Sequence, residues 1–371
     1  MRALAIVDGE HYPDVVRAAL AELPYAFVAV RLVGGTEKLR GTPDYGLPAV
    51  DEGTGGAEIA VDLSDEPVLD PRRRLALAAE MLAEGIPYVG ADFRFDPPTF
   101  HAVHLPSIAV IGTGKRVGKT AVTAHIARLL ARDREVVVVA MGRGGPAEPE
   151  LVTSPPGIEE LVARSRAGRH AASDHLETAA LAGVPTIGCR RAGGGLAGAP
   201  FTSNVLEGAR LAESLDPDVV VFDGSGATIP PVDVDARILV AHDVESGLNP
   251  YRVRISDLVL RVGEDFELRL QPAEPIDGRV AVFTAGPAAT GHLEADVVHV
   301  SRSLGDRKTL DRELAALEAD TYLTELKGAA IDLVAEHALA RGRHVVLAAN
   351  DVVGPGIDDA LLALVPETLA V

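Results

Sequence analysis

Ile108-Ala-Val-Ile-Gly112-Thr-Gly114-Lys115-Arg116-Val-Gly118-Lys119-Thr120, followed by the apolar-periodic run 121–131, decides how this chain is read. An apolar, β-rich run enters a glycine-rich turn, and a helix with a hydroxyl residue at its start leaves it. That is the layout of a phosphate-binding loop. Glycines let successive N–H groups converge on one point, and the helix N-terminus adds the positive end of its dipole. Lys119 is placed to reach terminal phosphates, and Thr120 to offer its hydroxyl to Mg²⁺. A nucleoside triphosphate is the first ligand expected, held by Gly112, Thr113, Gly114, Lys115, Arg116, Val117, Gly118, Lys119 and Thr120. The spacing departs from G-x-x-x-x-G-K-[ST] at one place, because Thr113 stands where the first glycine belongs and Gly112 precedes it. The competing reading is a glycine-rich strand-to-helix turn with a chance Gly-Lys-Thr.

Working outward, the chain alternates strands and helices, which implies α/β architecture with parallel sheets whose ligands sit beyond the carboxyl ends of the strands. Three segments are expected: an α/β unit at 1–103, a nucleotide-binding core at 104–278, and an α/β appendage at 279–371. In the first, the strand 3–7 runs into Asp8-Gly9-Glu10-His11, with Pro13 opening a helix. Pro97-Pro98 marks a linker. In the core, the strand 135–140 leads to Gly142-Arg143-Gly144-Gly145, where an arginine flanked by glycines is well placed to meet an anion. A short strand at 185–188 precedes Arg190-Arg191 with Gly193, Gly194 and Gly195, a second candidate anion nest. Thr202-Ser203-Asn204 is expected to cap the next helix. The strand 218–222 ends in Asp223, the carboxylate expected to hold Mg²⁺ with Thr120. In the last segment helices are expected at 309–317 and 325–341, with Arg302, Arg307 and Lys327 as further cations. For these arginines and lysines a solvated surface position is the alternative, and for Glu10 and His11 a structural hydrogen bond.

Composition bounds the answer. The 371 residues suggest two or three domains, and 47% hydrophobic content allows filled cores. Thirty-five Lys and Arg against 54 Asp and Glu give a net charge of −19, which argues against general nucleic-acid or anionic-membrane binding. A single cysteine, Cys189, leaves no disulfide framework. An early charge at the N-terminus and the lack of a long apolar run point to a cytoplasmic protein.

The loop from Gly112 to Thr120 resembles the G-T-D-T-x-V-G-K-T loop of dethiobiotin synthetase. Collected in order, Asp8-Gly-Glu-His-Tyr-Pro13, the loop, Gly142-Arg-Gly-Gly-Pro146, Arg190-Arg191 with Gly193 to Gly195, and Asp223-Gly-Ser-Gly226 resemble the cyclic 2,3-diphosphoglycerate synthetase family over nearly the whole chain. The resemblance implies a Rossmann-like N-terminal domain, a P-loop core, a C-terminal lid and a homodimer. It also implies an ATP-dependent closure of 2,3-diphosphoglycerate into an intramolecular phosphoanhydride, with ADP and phosphate released. On that reading Lys119, Lys115, Asp223, Arg143, Arg190 and Arg191 carry the chemistry. Asp8, Glu10, His11, Arg143, Arg190, Arg191, Gly193, Gly194 and Lys327 receive substrate, and Thr120 and Asp223 hold the metal. Two alternatives stand beside it. One is a dethiobiotin-synthetase-like ligase or a phosphoglycerate-phosphorylating activity. The other is an ATPase switch of the partition type, whose signature lysine sits five positions before the loop lysine, whereas Lys115 sits four before Lys119.

Overall fold

A computed structural model describes residues 1–39, 41–286 and 289–365. The chain forms two compact units, residues 1–99 with 243–255, and residues 100–242 with 256–371. The segment 243–255, which sequence spacing leaves inside the 104–278 core, packs in the first unit, where its short helix Asn249–Arg254 meets the helix Pro71–Ala83.

The first unit is a five-stranded sheet in the order Ala26–Leu32, Arg2–Val7, Ile59–Asp62, Tyr88–Val89, Arg94–Phe95, parallel except for its last pair. Its helices begin as the sequence says they should. Pro13 opens the first and Pro71 the second, and the Asp70 carboxylate caps the latter by accepting from Arg73 N–H.

The second unit contains two large sheets and a two-stranded pair, His101–Ala102 with Val232–Asp233. The larger has eight strands, of which seven follow the order Thr202–Ser203, Thr186–Ala192, Val136–Gly142, Val219–Asp223, Ser107–Gly112, Ala236–Ala241, Leu258–Arg261. Five strands from Thr186–Ala192 to Ala236–Ala241, together with Leu258–Arg261, run parallel, and Thr202–Ser203 and the short Glu150–Val152 are antiparallel additions to Thr186–Ala192. Burial on both faces explains why these strands read as unbroken Val and Ile runs instead of alternating. Each such buried side chain contributes about 1.5–3 kcal/mol.

The smaller sheet has the order Glu267–Pro272, His344–Val353, Thr321–Glu325, Arg279–Phe283, Asp296–Ser301. It shares apolar clusters with the larger one. Val352, Ile357 and Leu361 pack with Val122 and Ile126 of the loop helix, and Phe283 and Tyr322 belong to the same cluster as Leu161 and Leu176.

Three local readings are corrected. Residues 325–341 are not one helix: Glu325 ends a buried strand, and the helical turns run from Ala330 to Leu339. The strand expected at 185–188 continues to Ala192, because Arg191 and Ala192 find partners in Ser203 and Thr202. Asn204 does not cap the following helix through its side chain, since its Oδ1 accepts from Arg190 N–H at 2.6 Å.

Candidate functional site

The strand Ser107–Gly112 lies between Val219–Asp223 and Ala236–Ala241, and its loop leads into the helix Lys119–Leu130. Two glycines of the loop are required by geometry. Gly118 has φ +94°, and a Cβ on Gly112 would stand 2.7 Å from the Lys119 Cδ. Arg116 also takes a positive φ, +59°, which is uncommon for a branched or long side chain and marks a loop whose shape is imposed by its surroundings. Lys119 is buried, its Nζ donating to the Gly114 carbonyl at 2.8 Å. Burial holds its ammonium below the ordinary lysine value, against the opposing pull of Asp223 and Asp174.

A cleft of about 410 Å³ opens over this loop within the second unit. Five cations line it: Lys115, Arg116, Lys119, Arg143 and Lys327. Thr120 and Ser225-Gly226 line it too, and so do Ala285, Leu304, Gly305, Glu325 and Gly328 from the C-terminal sheet. The strand Arg279–Phe283 has Asp296–Ser301 on one side and Thr321–Glu325 on the other. The loops after it and after Thr321–Glu325 therefore flank a point where the strand order reverses, which is where open α/β sheets receive ligands.

Arg191 is fixed beside the cleft. Its guanidinium donates to the Gly193 carbonyl at 2.8 Å and the Ser225 carbonyl at 2.9 Å. A Cβ on Gly226 would lie 3.5 Å from Arg191 Nη2 and 3.9 Å from Arg143 Nη2, so the two guanidinium groups converge on one glycine. Burial and the neighbouring Arg143 charge hold Arg191 below the usual guanidinium range. Arg190 differs. Consecutive residues of a strand point to opposite faces, so Arg190 turns away from Arg191, is exposed, and does not line the cleft. Gly193 and Gly194 do not line it either, and the Gly193 carbonyl serves to anchor Arg191. The expected second nest is thus reduced to one arginine.

Asp223 ends its strand opposite Val110, two residues before Gly112 on the adjoining strand. It is 2% exposed, and among the described residues its Oδ1 has no hydrogen-bond partner. Burial and the nearby Asp174 push its carboxyl up to about 8, with Lys119 opposing. An orphaned carboxylate oxygen and the Thr120 hydroxyl fit a hard divalent cation that takes few protein oxygens and completes its shell with phosphate and water.

Sequence reasoning expects a helix from about Ser173 to Leu181, and it is observed at Asp174–Ala182, but that reasoning gives its acidic residues no part in the site. Asp174 lines the cleft, and Glu177, one turn later, is buried with its Oε1 3.2 Å from Lys327 Nζ. Burial pushes the Glu177 carboxyl up to about 7, although Lys327 pulls it down. Burial works against the Lys327 ammonium, but Glu177 and Glu325 outweigh it and raise its pKa. Glu325 accepts from Ala285 N–H and from Asn350 Nδ2. Nothing local to Asp174-His-Leu-Glu177 announces these contacts, because Lys327 lies in the far C-terminal part of the chain and the cleft is assembled from several distant segments.

Three other expected residues occupy the first unit. Asp8 is fully buried and accepts from Glu10 N–H at 2.9 Å, Asp65 N–H at 2.6 Å and His11 Nδ1 at 2.8 Å. Burial alone would raise its pKa, but these bonds hold it below the ordinary value. Glu10 pairs with Lys38. The turn is therefore a closed hydrogen-bonded structure. Arg307 pairs with Asp332 at 2.6 Å, and neither it nor Arg302 lines the cleft.

Loop, buried lysine, strand-end aspartate and a cation-lined cleft on a parallel sheet define a P-loop nucleotide-binding protein. Family models for cyclic 2,3-diphosphoglycerate synthetase match the chain in three parts: the N-terminal domain at residues 2–96, the P-loop domain at 107–271 and the C-terminal domain at 273–351. The chain belongs to the cyclic 2,3-diphosphoglycerate synthetase family. Similar proteins that carry that name come from Rubrobacter xylanophilus, 45% identical with 98% of this chain and 97% of the relative covered, and from Thermococcus gammatolerans, 38% identical with 97% and 96% covered. Another from Pyrococcus furiosus is 36% identical, with 94% of each covered. Among solved structures, the "apo" form of LpxK from Aquifex aeolicus in complex with ATP overlaps 72% of this chain and 91% of its own, at 15% identity and a TM-score of 0.44. No helix among the described residues is long and apolar enough to cross a membrane.

Proposed function

We propose that this enzyme closes 2,3-diphosphoglycerate into its cyclic phosphoanhydride at the expense of ATP. One observation carries the reading: a chain of net charge −19 gathers five cations around one cleft above its phosphate-binding loop. Two phosphates on one small molecule repel each other, so holding them within attacking distance demands such a concentration of positive charge.

In the proposed sequence, an oxygen of one substrate phosphate attacks the γ-phosphorus, and ADP leaves with the electron pair of the β–γ bridge. An oxygen of the second phosphate then attacks the first substrate phosphorus, the anhydride forms, and inorganic phosphate departs with the pair of the bond it breaks. Lys119 and the loop N–H groups bind the nucleotide phosphates, with Lys115 at the mouth of the loop. Arg143, Arg191 and Lys327 hold the substrate phosphates. Thr120 and Asp223 would hold Mg²⁺, which when bound neutralises charge on the phosphates. The same reading takes the enzyme to be a homodimer, which the family resemblance supports, and cytoplasmic, which the early N-terminal charge and the lack of a long apolar run support.

The test is to incubate the chain with ATP, Mg²⁺ and 2,3-diphosphoglycerate and follow ³¹P signals. A new anhydride resonance from the wild type, absent from Lys119→Ala, is the expected result. ATP turnover that responds only to diamino acids, with no anhydride signal, would overturn the proposal in favour of a dethiobiotin-synthetase-like ligase.

A further inference from the structure

The cations of the cleft divide by what they touch. Lys119 donates to the Gly114 carbonyl, and Lys327 pairs with Glu177. Lys115, Arg116 and Arg143 make no hydrogen bond or ion pair among the described residues. Lys115 and Arg143 gather with Arg191 at Gly226, where a Cβ would lie 4.0 Å from Lys115 Cγ. Arg116 leaves that group. Although adjacent to Lys115, it stands on left-handed backbone, and its Nη2 lies 3.1 Å from the place of a Cβ on Gly305, in the loop after the strand Asp296–Ser301. That loop is a firm wall, because the Leu304 carbonyl accepts from Ala329 N–H at 3.0 Å. Its carboxylates are already engaged: Asp306 accepts from Thr309 N–H at 3.2 Å and from the Thr309 hydroxyl at 2.7 Å, and Glu325 across the cleft accepts from Ala285 N–H and Asn350.

Three cations at one glycine suit a phosphate ester, which carries about 1.5–2 negative charges. A single guanidinium set apart from them suits a singly charged planar group with two acceptor oxygens. The proposed substrate carries one such group besides its phosphates. We propose that Arg116 receives the carboxylate of the substrate against Gly305, and so selects a bisphosphorylated acid over a bisphosphorylated alcohol. The inference rests on the cyclisation reading of the site. Two other roles compete with it: a ligand to the nucleotide phosphates, and a strap between the loop and the C-terminal sheet.

The full-length chain is titrated calorimetrically, with and without a non-hydrolysable ATP analogue, with 2,3-diphosphoglycerate and with propane-1,2-diol bisphosphate, which has a methyl group in place of the carboxylate. ADP is titrated separately. The wild type should bind the acid at least about tenfold more tightly than the diol bisphosphate. Arg116→Gln should reduce that preference to about threefold or less, while its affinities for the diol bisphosphate and for ADP stay within about threefold of wild type. Arg116→Gly, which suits the left-handed backbone, should lose the preference equally, so that the guanidinium and not the loop conformation is the cause. Preference kept in either variant, whether ADP binding weakens or both bisphosphates weaken alike, overturns the assignment and leaves the cyclisation reading standing. A wild type that binds both bisphosphates equally does the same. A wild type that binds ADP but neither bisphosphate under either condition overturns both.

Discussion

Glu177→Gln isolates a buried carboxyl whose titration can be followed through stability. Glu177 is 5% exposed, and its carboxyl is pushed from an ordinary 4.5 up to about 7 even with Lys327 at 3.2 Å. The folded chain therefore keeps a proton that the unfolded chain has released across that interval. The stabilisation is fully present below 4.5 and is lost as pH rises through about 7. The displacement corresponds to roughly 3 kcal/mol. Glutamine mimics the protonated carboxyl, so near pH 5 the variant and wild type should unfold with similar free energies. Near pH 8 the variant should gain roughly 3 kcal/mol relative to the wild type, since only the latter must ionise a buried group. Urea unfolding at a series of pH values, followed by circular dichroism, reads the difference directly, and every other titrating group cancels between the two proteins. Parallel stability curves from pH 5 to pH 8 would refute the reasoning, because they would mean that Glu177 titrates alike in the folded and unfolded chain.

His175 offers the opposite sign. Burial holds it down to about 4, its Nδ1 3.1 Å from the Ser173 hydroxyl, so its stabilisation is present above 6.5 and is lost as pH falls through about 4. His175→Asn should flatten the acid limb of the stability profile by roughly 3 kcal/mol, whatever constant offset its lost packing adds. The two adjacent arginines should separate in steady-state assays. Arg191→Ala is expected to lower kcat/KM by about a hundredfold or more, because a guanidinium anchored on two backbone carbonyls beside Arg143 is removed. Arg190→Ala, on the exposed face, should stay within about threefold of wild type. Equal losses from both would contradict the alternation on which the assignment depends.

The phosphate-binding loop was legible in residues 108–120 because strand, glycines, lysine and threonine are contiguous, and each shapes the backbone within a few positions of itself. Asp223 was legible for the same reason, as the polar end of an apolar strand. The sorting of Arg190 from Arg191 was not. It depends on the strand continuing past Gly188, and that continuation is created by pairing with Thr202 and Ser203. The strand Thr321–Glu325 was hidden by the helix-favouring run that follows it, and its burial between two neighbours overrode local propensity.

By itself the sequence determined the α/β class, the nucleotide loop and the shortage of positive charge that makes any cluster of cations informative. Only the tertiary structure decided which cations meet. Lys327 reaches the loop because the C-terminal sheet shares its apolar core with the loop helix. Asp174 lines that cleft, and Glu177, one turn along the same helix, pairs with Lys327 at its edge. Local propensities fix the elements, whereas the side chains of a site are assembled by long-range burial, which no short stretch encodes.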